Sequence, residues 1–274
     1  MHGPLSGVRT AAPYLRFPGP LALAHRGGGG EVPENSRAAL EHTVALGLRY
    51  LETDVHRTAD GVVVLLHDPT LERTTDGHGR LADLTWEQAA QLRDRSGERL
   101  VRLDEALADY PTLRLNIDLK EDGVVGPALR VLAAAGAADR VCLASFSDRR
   151  LRVVRRLTGG RVATSLGRVE TGRLVAAATL AAPALGVPTP DGAPAARAVA
   201  VQVPPSHRGV PVVTPAFVRR AHGLGLAVHV WTIDDAPTMH RLLDLGVDGI
   251  VTDRPTVLRQ VLRDRGAWVG TTEA

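Results

Sequence analysis

Short apolar runs alternate with helix-length segments along almost the whole 274-residue chain, and that rhythm constrains the fold more than any other feature. Strands read at residues 21–25, 50–55, 62–66, 113–119, 141–144, 162–165, 198–203, 227–231 and 249–252. They are rich in Val, Leu and Ala, too apolar to face water on either side, as expected of parallel strands covered by helices. Helices read at 35–46, 124–135, 148–157, 171–180, 215–222, 235–245 and 256–263, with shorter ones at 85–92 and 104–108. Asn35 or Ser36 suits the first N-cap, and Gly47 its C-terminal stop. About eight strand–helix units in series predict a closed parallel (β/α)8 barrel over an open sheet.

No linker separates two domains, so one barrel is expected over 21–265. Residues 1–20 form an N-terminal extension and 266–274 a C-terminal tail. The stretch 67–109 is long for one strand-to-helix connection and reads as a small insertion above the barrel. Residues 181–196, rich in Pro, Ala and Gly, read as a loop.

Composition narrows the function classes. The formal charge is only +3, which is no basic patch, so nucleic acid is not an expected partner. Cys142 is the only cysteine and lies in an apolar run, which predicts core filler and excludes an internal disulfide. The first twenty residues lack the apolar centre of a signal peptide, and no apolar run is long enough to span a bilayer. A cytoplasmic protein without stable membrane insertion is therefore expected.

In such a barrel the chemistry sits at the C-terminal ends of the strands. Strand one ends in His25-Arg26, strand two carries Glu52 and Asp54, and the next ends in His67-Asp68. Then come Asp118 with Lys120, Trp231-Thr232, and Thr252-Asp253. Glu52 and Asp54, two apart on a strand, share a face. With Asp118 they form an all-oxygen set that suits Mg²⁺ or Ca²⁺, unless they are simply solvated or arginine-paired acids. His25 and His67 suit a general acid and base. Arg26 suits a phosphate oxygen. Lys120, the only lysine, is either functional or a surface partner of Glu121 or Asp122. Gly27–Gly30 either approach an anion through backbone N–H groups or form a flexible loop.

These residues resemble the glycerophosphodiester phosphodiesterase family. His25-Arg26-Gly27, then five residues, then Pro33-Glu34-Asn35 is similar to its first signature. Glu52-Thr53-Asp54-Val55, Asp60-Gly61-Val62, His67-Asp68 and the run from Leu71 to Gly77 resemble the second block. The run from Asn116 to Lys120 resembles the third, and Ser145-Phe146, Val230-Trp231-Thr232 and the run from Gly246 to Asp253 resemble the C-terminal blocks. The likeness spans about residues 21–260.

The resemblance implies a TIM barrel and a hydrolase of lipid and glycerol metabolism. Glycerophosphodiesters would yield sn-glycerol 3-phosphate and an alcohol with the help of a divalent cation. Carried over, His25 and His67 would be the acid/base pair, and Glu52, Asp54 and Asp118 the metal ligands. Arg26 and Lys120 would hold phosphate, and Trp231 would line the glycerol side. One position departs from the family: its third block usually has glutamate where this chain has Asp118. The shorter side chain draws that carboxylate back by about 1.5 Å. Two alternatives stand beside this reading. One is a phospholipase D-like or cyclising activity on lysophospholipids, and the other a non-catalytic barrel that binds a phosphorylated ligand. The head group and the oligomeric state are not encoded in any motif.

Overall fold

The computed structural model describes residues 12–184, 186–193 and 197–270. The first eleven residues of the expected extension and the last four of the expected tail lie outside that range. The elements are β1 (Leu21–His25), α1 (Arg37–Ala45), β2 (Tyr50–Arg57), β3 (Val63–Leu65), α2 (Trp86–Ala89), α3 (Leu103–Asp109), β4 (Arg114–Leu119) and α4 (Val125–Ala134). They continue with β5 (Val141–Ala144), α5 (Asp148–Thr158), β6 (Ala163–Thr164), α6 (Arg168–Thr179), β7 (Ala200–Val203), β8 (Ser206–His207) and β9 (Val210–Pro211). Last come α7 (Pro215–Gly223), β10 (Ala227–Val230), α8 (Ala236–Asp244), β11 (Gly249–Thr252) and α9 (Pro255–Asp264).

Eight parallel strands form the wall, in the order β6-β5-β4-β2-β1-β11-β10-β7. A single bridge, Ser165 to Ala200, closes β6 onto β7. The result is the expected (β/α)8 barrel. Its apolar mass lies in two places. Leu21, Leu23, Tyr50, Cys142, Ala200 and Val251 belong to one buried cluster inside the wall. Larger clusters lie between wall and helices, such as Leu115, Ile117, Ala128 and Leu132 on one side and Val228, Val230, Leu242 and Leu258 on the other. Each such buried Leu, Ile or Val contributes about 1.5–3 kcal/mol over leaving it exposed.

Two local features differ from expectation, and the open choice of N-cap between Asn35 and Ser36 is resolved. The strand expected at 62–66 is not part of the wall: β3 pairs antiparallel with β2, Val55 opposite Leu65. The excursion above the barrel therefore starts at Thr58 rather than at His67. Ser36 caps α1 by accepting from the Ala39 N–H, which leaves Asn35 outside the helix at φ 53°. The N-terminal segment is also more than an extension. Pro13–Leu15 make a 3₁₀ turn, and Tyr14 inserts fully buried. Arg114 donates to the Pro13 and Tyr14 carbonyls at 2.6 and 2.7 Å, so the bottom of the barrel is stoppered. No described helix is long and apolar enough to cross a membrane.

Candidate active site

Register decides which polar side chains meet. His25 pairs across from Glu52, and Asp54 from Asp118. Alternate residues of these strands point inward, so the ends of β1, β2 and β4 direct four polar side chains into one mouth. Arg26 and Lys120, just past β1 and β4, close over them.

His25 joins Asp253 through Nδ1 at 2.7 Å, and its Nε2 lies 3.8 Å from Glu52 Oε2. Burial works to lower the His25 pKa. The hydrogen bond to Asp253 and the fields of Glu52 and Asp253 outweigh it, and the net shift is upward. His67, at the end of the excursion's first strand segment, is held in the same way: its Nδ1 meets Asp68 Oδ1 at 2.6 Å. Arg73 then grips Asp68 at 2.5 Å and Glu34 at 2.8 Å through two nitrogens. Glu34 accepts in turn from Arg26 at 3.0 Å. One exposed arginine thus ties the support of His67 to the support of Arg26.

Asp54 is the most crowded carboxylate. Lys120 Nζ lies 2.7 Å from Asp54 and 2.7 Å from Asp118. Arg26 Nε lies 3.2 Å from Asp54, and Asn35 donates to it at 3.2 Å. Thr53 donates to the Asn35 side-chain oxygen at 2.7 Å, which fixes the amide the right way round. Burial raises the Asp54 pKa, but Lys120 and Arg26 oppose it and the net direction is down. Glu52 has weaker partners: the Arg26 backbone N–H donates to it at 3.2 Å, and His25 Nε2 stands 3.8 Å away. Burial and then the charge of Asp54 push its carboxyl up to about 8. Burial likewise leaves Asp118 raised, despite Lys120.

Lys120 is therefore no surface lysine. Among the described residues, no three His, Cys, Asp or Glu side chains stand ready-arranged around a metal position. The Lys120 ammonium bridges two of the expected ligands instead. The donor chemistry still fits a hard divalent cation. Three buried or half-buried carboxylates share the pocket, and around Glu52 the fields of His25 and Lys120 do not outweigh burial and the charge of Asp54.

The glycine run does not cradle an anion. The N–H groups of Gly27, Gly28, Gly29 and Gly30 all donate to backbone carbonyls. Gly27 and Gly28 have φ of 83° and 99°, and a Cβ there would strike Ala39 or Pro255. These glycines let β1 turn tightly against α1 and α9. Trp231 is half-buried at the mouth, with Phe146 edge-on at 6.0 Å. Cys142 is buried inside the wall, as expected of core filler. His42, His222 and His240 face Glu31, Asp248 and Arg265 rather than the carboxylate cluster.

Sequence reasoning missed Asp253, Asp68, Asn35 and Arg73 as supports of the site. For two of them a signal was present: an acid follows His67 directly, and Asp253 ends a wall strand next to the one that carries His25.

A family model described as "Glycerophosphoryl diester phosphodiesterase family" matches residues 25–257. A Mycobacterium tuberculosis protein named "probable glycerophosphodiester phosphodiesterase 2" is 41% identical, with 96% of this chain and 98% of that protein covered. A glycerophosphodiester phosphodiesterase of Caldanaerobacter subterraneus is 29% identical, with 90% and 99% covered. Among solved structures, an Oleispira antarctica phosphodiesterase in complex with the product sn-glycerol-3-phosphate superposes with a TM-score of 0.71 at 23% identity. That alignment covers 89% of this chain and 97% of the other.

Proposed function

This chain belongs to the glycerophosphoryl diester phosphodiesterase family, and on that premise we propose that it hydrolyses glycerophosphodiesters to sn-glycerol 3-phosphate and an alcohol. The observation that carries the reading is the pair of histidines, each held through Nδ1 by a carboxylate beside a cluster of buried acids. A carboxylate on Nδ1 fixes the tautomer and leaves Nε2 to take or give a proton.

His25 and His67 are the acid/base pair in this reading. One accepts the proton of the attacking oxygen, and the other protonates the leaving alcohol. The attacker is water or the substrate's own glycerol 2-hydroxyl. Arg26 and Lys120 neutralise the phosphate, Lys120 by giving up a contact to Asp54 or Asp118. Trp231 flanks the glycerol. A divalent cation, Mg²⁺ or Ca²⁺, held by Glu52, Asp54 and Asp118 would supply Lewis-acid stabilisation of phosphate charge. A cytoplasmic location is part of the same proposal, checked by cell fractionation.

Release of sn-glycerol 3-phosphate from glycerophosphocholine, with and without EDTA, tests the reading. Turnover abolished by EDTA and restored by Mg²⁺ or Ca²⁺ is expected. Absence of turnover with metal bound would mark a non-catalytic phosphate-binding barrel. The exposed Phe146 against Trp231 favours one second reading, action on lysophospholipids. A higher kcat/KM on lysophosphatidylcholine than on glycerophosphocholine would select it.

A further inference from the structure

Among the described residues, six large apolar side chains are exposed, and three of them ring one sector of the mouth. Phe146 (63% exposed) lies between β5 and α5, Val169 (57%) opens α6, and Val210 (66%) lies on the β8–β9 hairpin. These are the loops after β5, β6 and β7, consecutive around the wall. The first two are tied together: the Arg168 N–H donates to the Phe146 carbonyl at 3.2 Å, and Asp148 accepts from the Val169 and Glu170 N–H groups at 2.9 Å. The other three, Val44, Leu157 and Leu180, sit at or just past helix C-terminal ends, on the opposite face.

Arginines are interleaved with these side chains. Arg149, Arg168 and Arg208 are exposed on the same three loops. Arg149 keeps a loose 3.5 Å contact with Asp122, whereas Arg168 and Arg208 meet no carboxylate among the described residues. A cavity of about 260 Å³ opens beside Val169, between α5 and α6, lined by Arg152 and Arg173. Its two acids are already engaged: Asp148 caps α6, and Glu170 is paired with Arg155. Apolar tips among unpaired cations match an anionic lipid surface, where side chains enter the headgroup layer and arginines meet phosphates.

We propose that this sector, carried by Phe146, Val169, Val210, Arg168 and Arg208, docks the barrel mouth onto an anionic lipid bilayer without crossing it. Docking would bring the mouth to diesters held at a lipid surface. That consequence rests on the proposed diesterase activity, while the docking itself does not.

Co-sedimentation with vesicles tests it, using the full chain without substrate. Vesicles of equal parts phosphatidylcholine and phosphatidylglycerol should pull the protein down, and vesicles of phosphatidylcholine alone should not. Added salt should weaken the binding. Arg168→Ala and Arg208→Ala should each weaken it by about fivefold. Val169→Asp with Val210→Asp should weaken it by about tenfold or more, with turnover of soluble glycerophosphocholine unchanged. No binding to the anionic vesicles at low salt would overturn the proposal, as would binding untouched by these variants. So would light scattering that shows a dimer split by Val210→Asp, since the surface would then face a second copy of the chain. Failure of the diesterase reading shows separately, as absent turnover of the soluble diester with vesicle binding intact.

Discussion

At the bottom of the barrel Tyr14 and Phe17 meet Tyr50 edge to face at 5.3 and 5.5 Å, and Arg114 donates to backbone carbonyls. At the top, Glu52, Asp54 and Asp118 share a small volume with Lys120, Arg26 and His25. The same wall strands serve both ends, since β2 contributes Tyr50 below and Asp54 above. The bottom gathers aromatic area around one cation. The top holds carboxylates where burial opposes their charge. Such an end costs stability, which is what the proposed chemistry at the mouth would demand.

The contrast breaks most easily at the top. His25→Ala and His67→Ala should each lower kcat by about 10²–10⁴, with the thermal midpoint almost unmoved. Near-wild-type turnover in both would remove the acid/base assignment. At the bottom the effect should invert. Tyr14→Ala should cost on the order of 3 kcal/mol in urea unfolding, while turnover in native buffer stays close to wild type. A large loss of kcat in the folded variant would mean that the two ends are coupled.

Between the ends lies a polar layer of Asn116, Gln202 and His229. Burial pushes the His229 imidazole down to about 4, with Asp248 weakly opposing. Its folded-state pKa lies below the unfolded value of about 6.5, so unfolding takes up a proton between those values. This contribution to stability is complete above that window and lost as the pH falls through 4. Wild type should lose on the order of 2–3 kcal/mol more than His229→Asn between pH 7 and pH 4, read from urea midpoints. Parallel curves would show that the imidazole is not isolated from water.

The smallest effect returns to the top. The Glu52 pKa is raised well above its unfolded value, so in metal-free protein its ionisation destabilises the fold as the pH climbs past about 4.5. Glu52→Gln should stabilise the EDTA-treated protein at pH 8 by about 1–2 kcal/mol. The same variant should bind Mg²⁺ or Ca²⁺ more weakly in calorimetry. A destabilised variant would mean that the mouth contributes to stability as the bottom does.

Much of this was legible in residue order. Strand alternation placed Glu52 and Asp54 on one face, and the parallel pattern set Asp118 beside them. Apart from Asp68, which adjoins its partner His67, what escaped depended on partners far apart in sequence. Asp253 reaches His25 only because β11 is the neighbour of β1, the closure between the first and last wall strands. Arg73 joins Glu34 to Asp68 across a folded excursion with no periodicity. Lys120 stood out as a lone lysine two residues after Asp118, but nothing in that spacing brings Asp54 to its other side. The antiparallel turn of β3 did leave a trace. Only residues 58–62 separate it from β2, too few for a parallel crossover.

The wall is not equally knit all round. β2 and β4 share six paired positions, whereas β6 and β7 meet at the lone Ser165–Ala200 bridge. When the cylinder breathes, it should unzip along that line first. Asp253, His25, Glu52, Asp54 and Asp118 ride at the upper edge of the contiguous panel β11-β1-β2-β4, which nowhere borders the line. Opening there would widen the sector lined by Val169 and Val210 while these five side chains keep their spacing. The barrel thus carries its buried acid cluster on a stiff panel and its give on the far side.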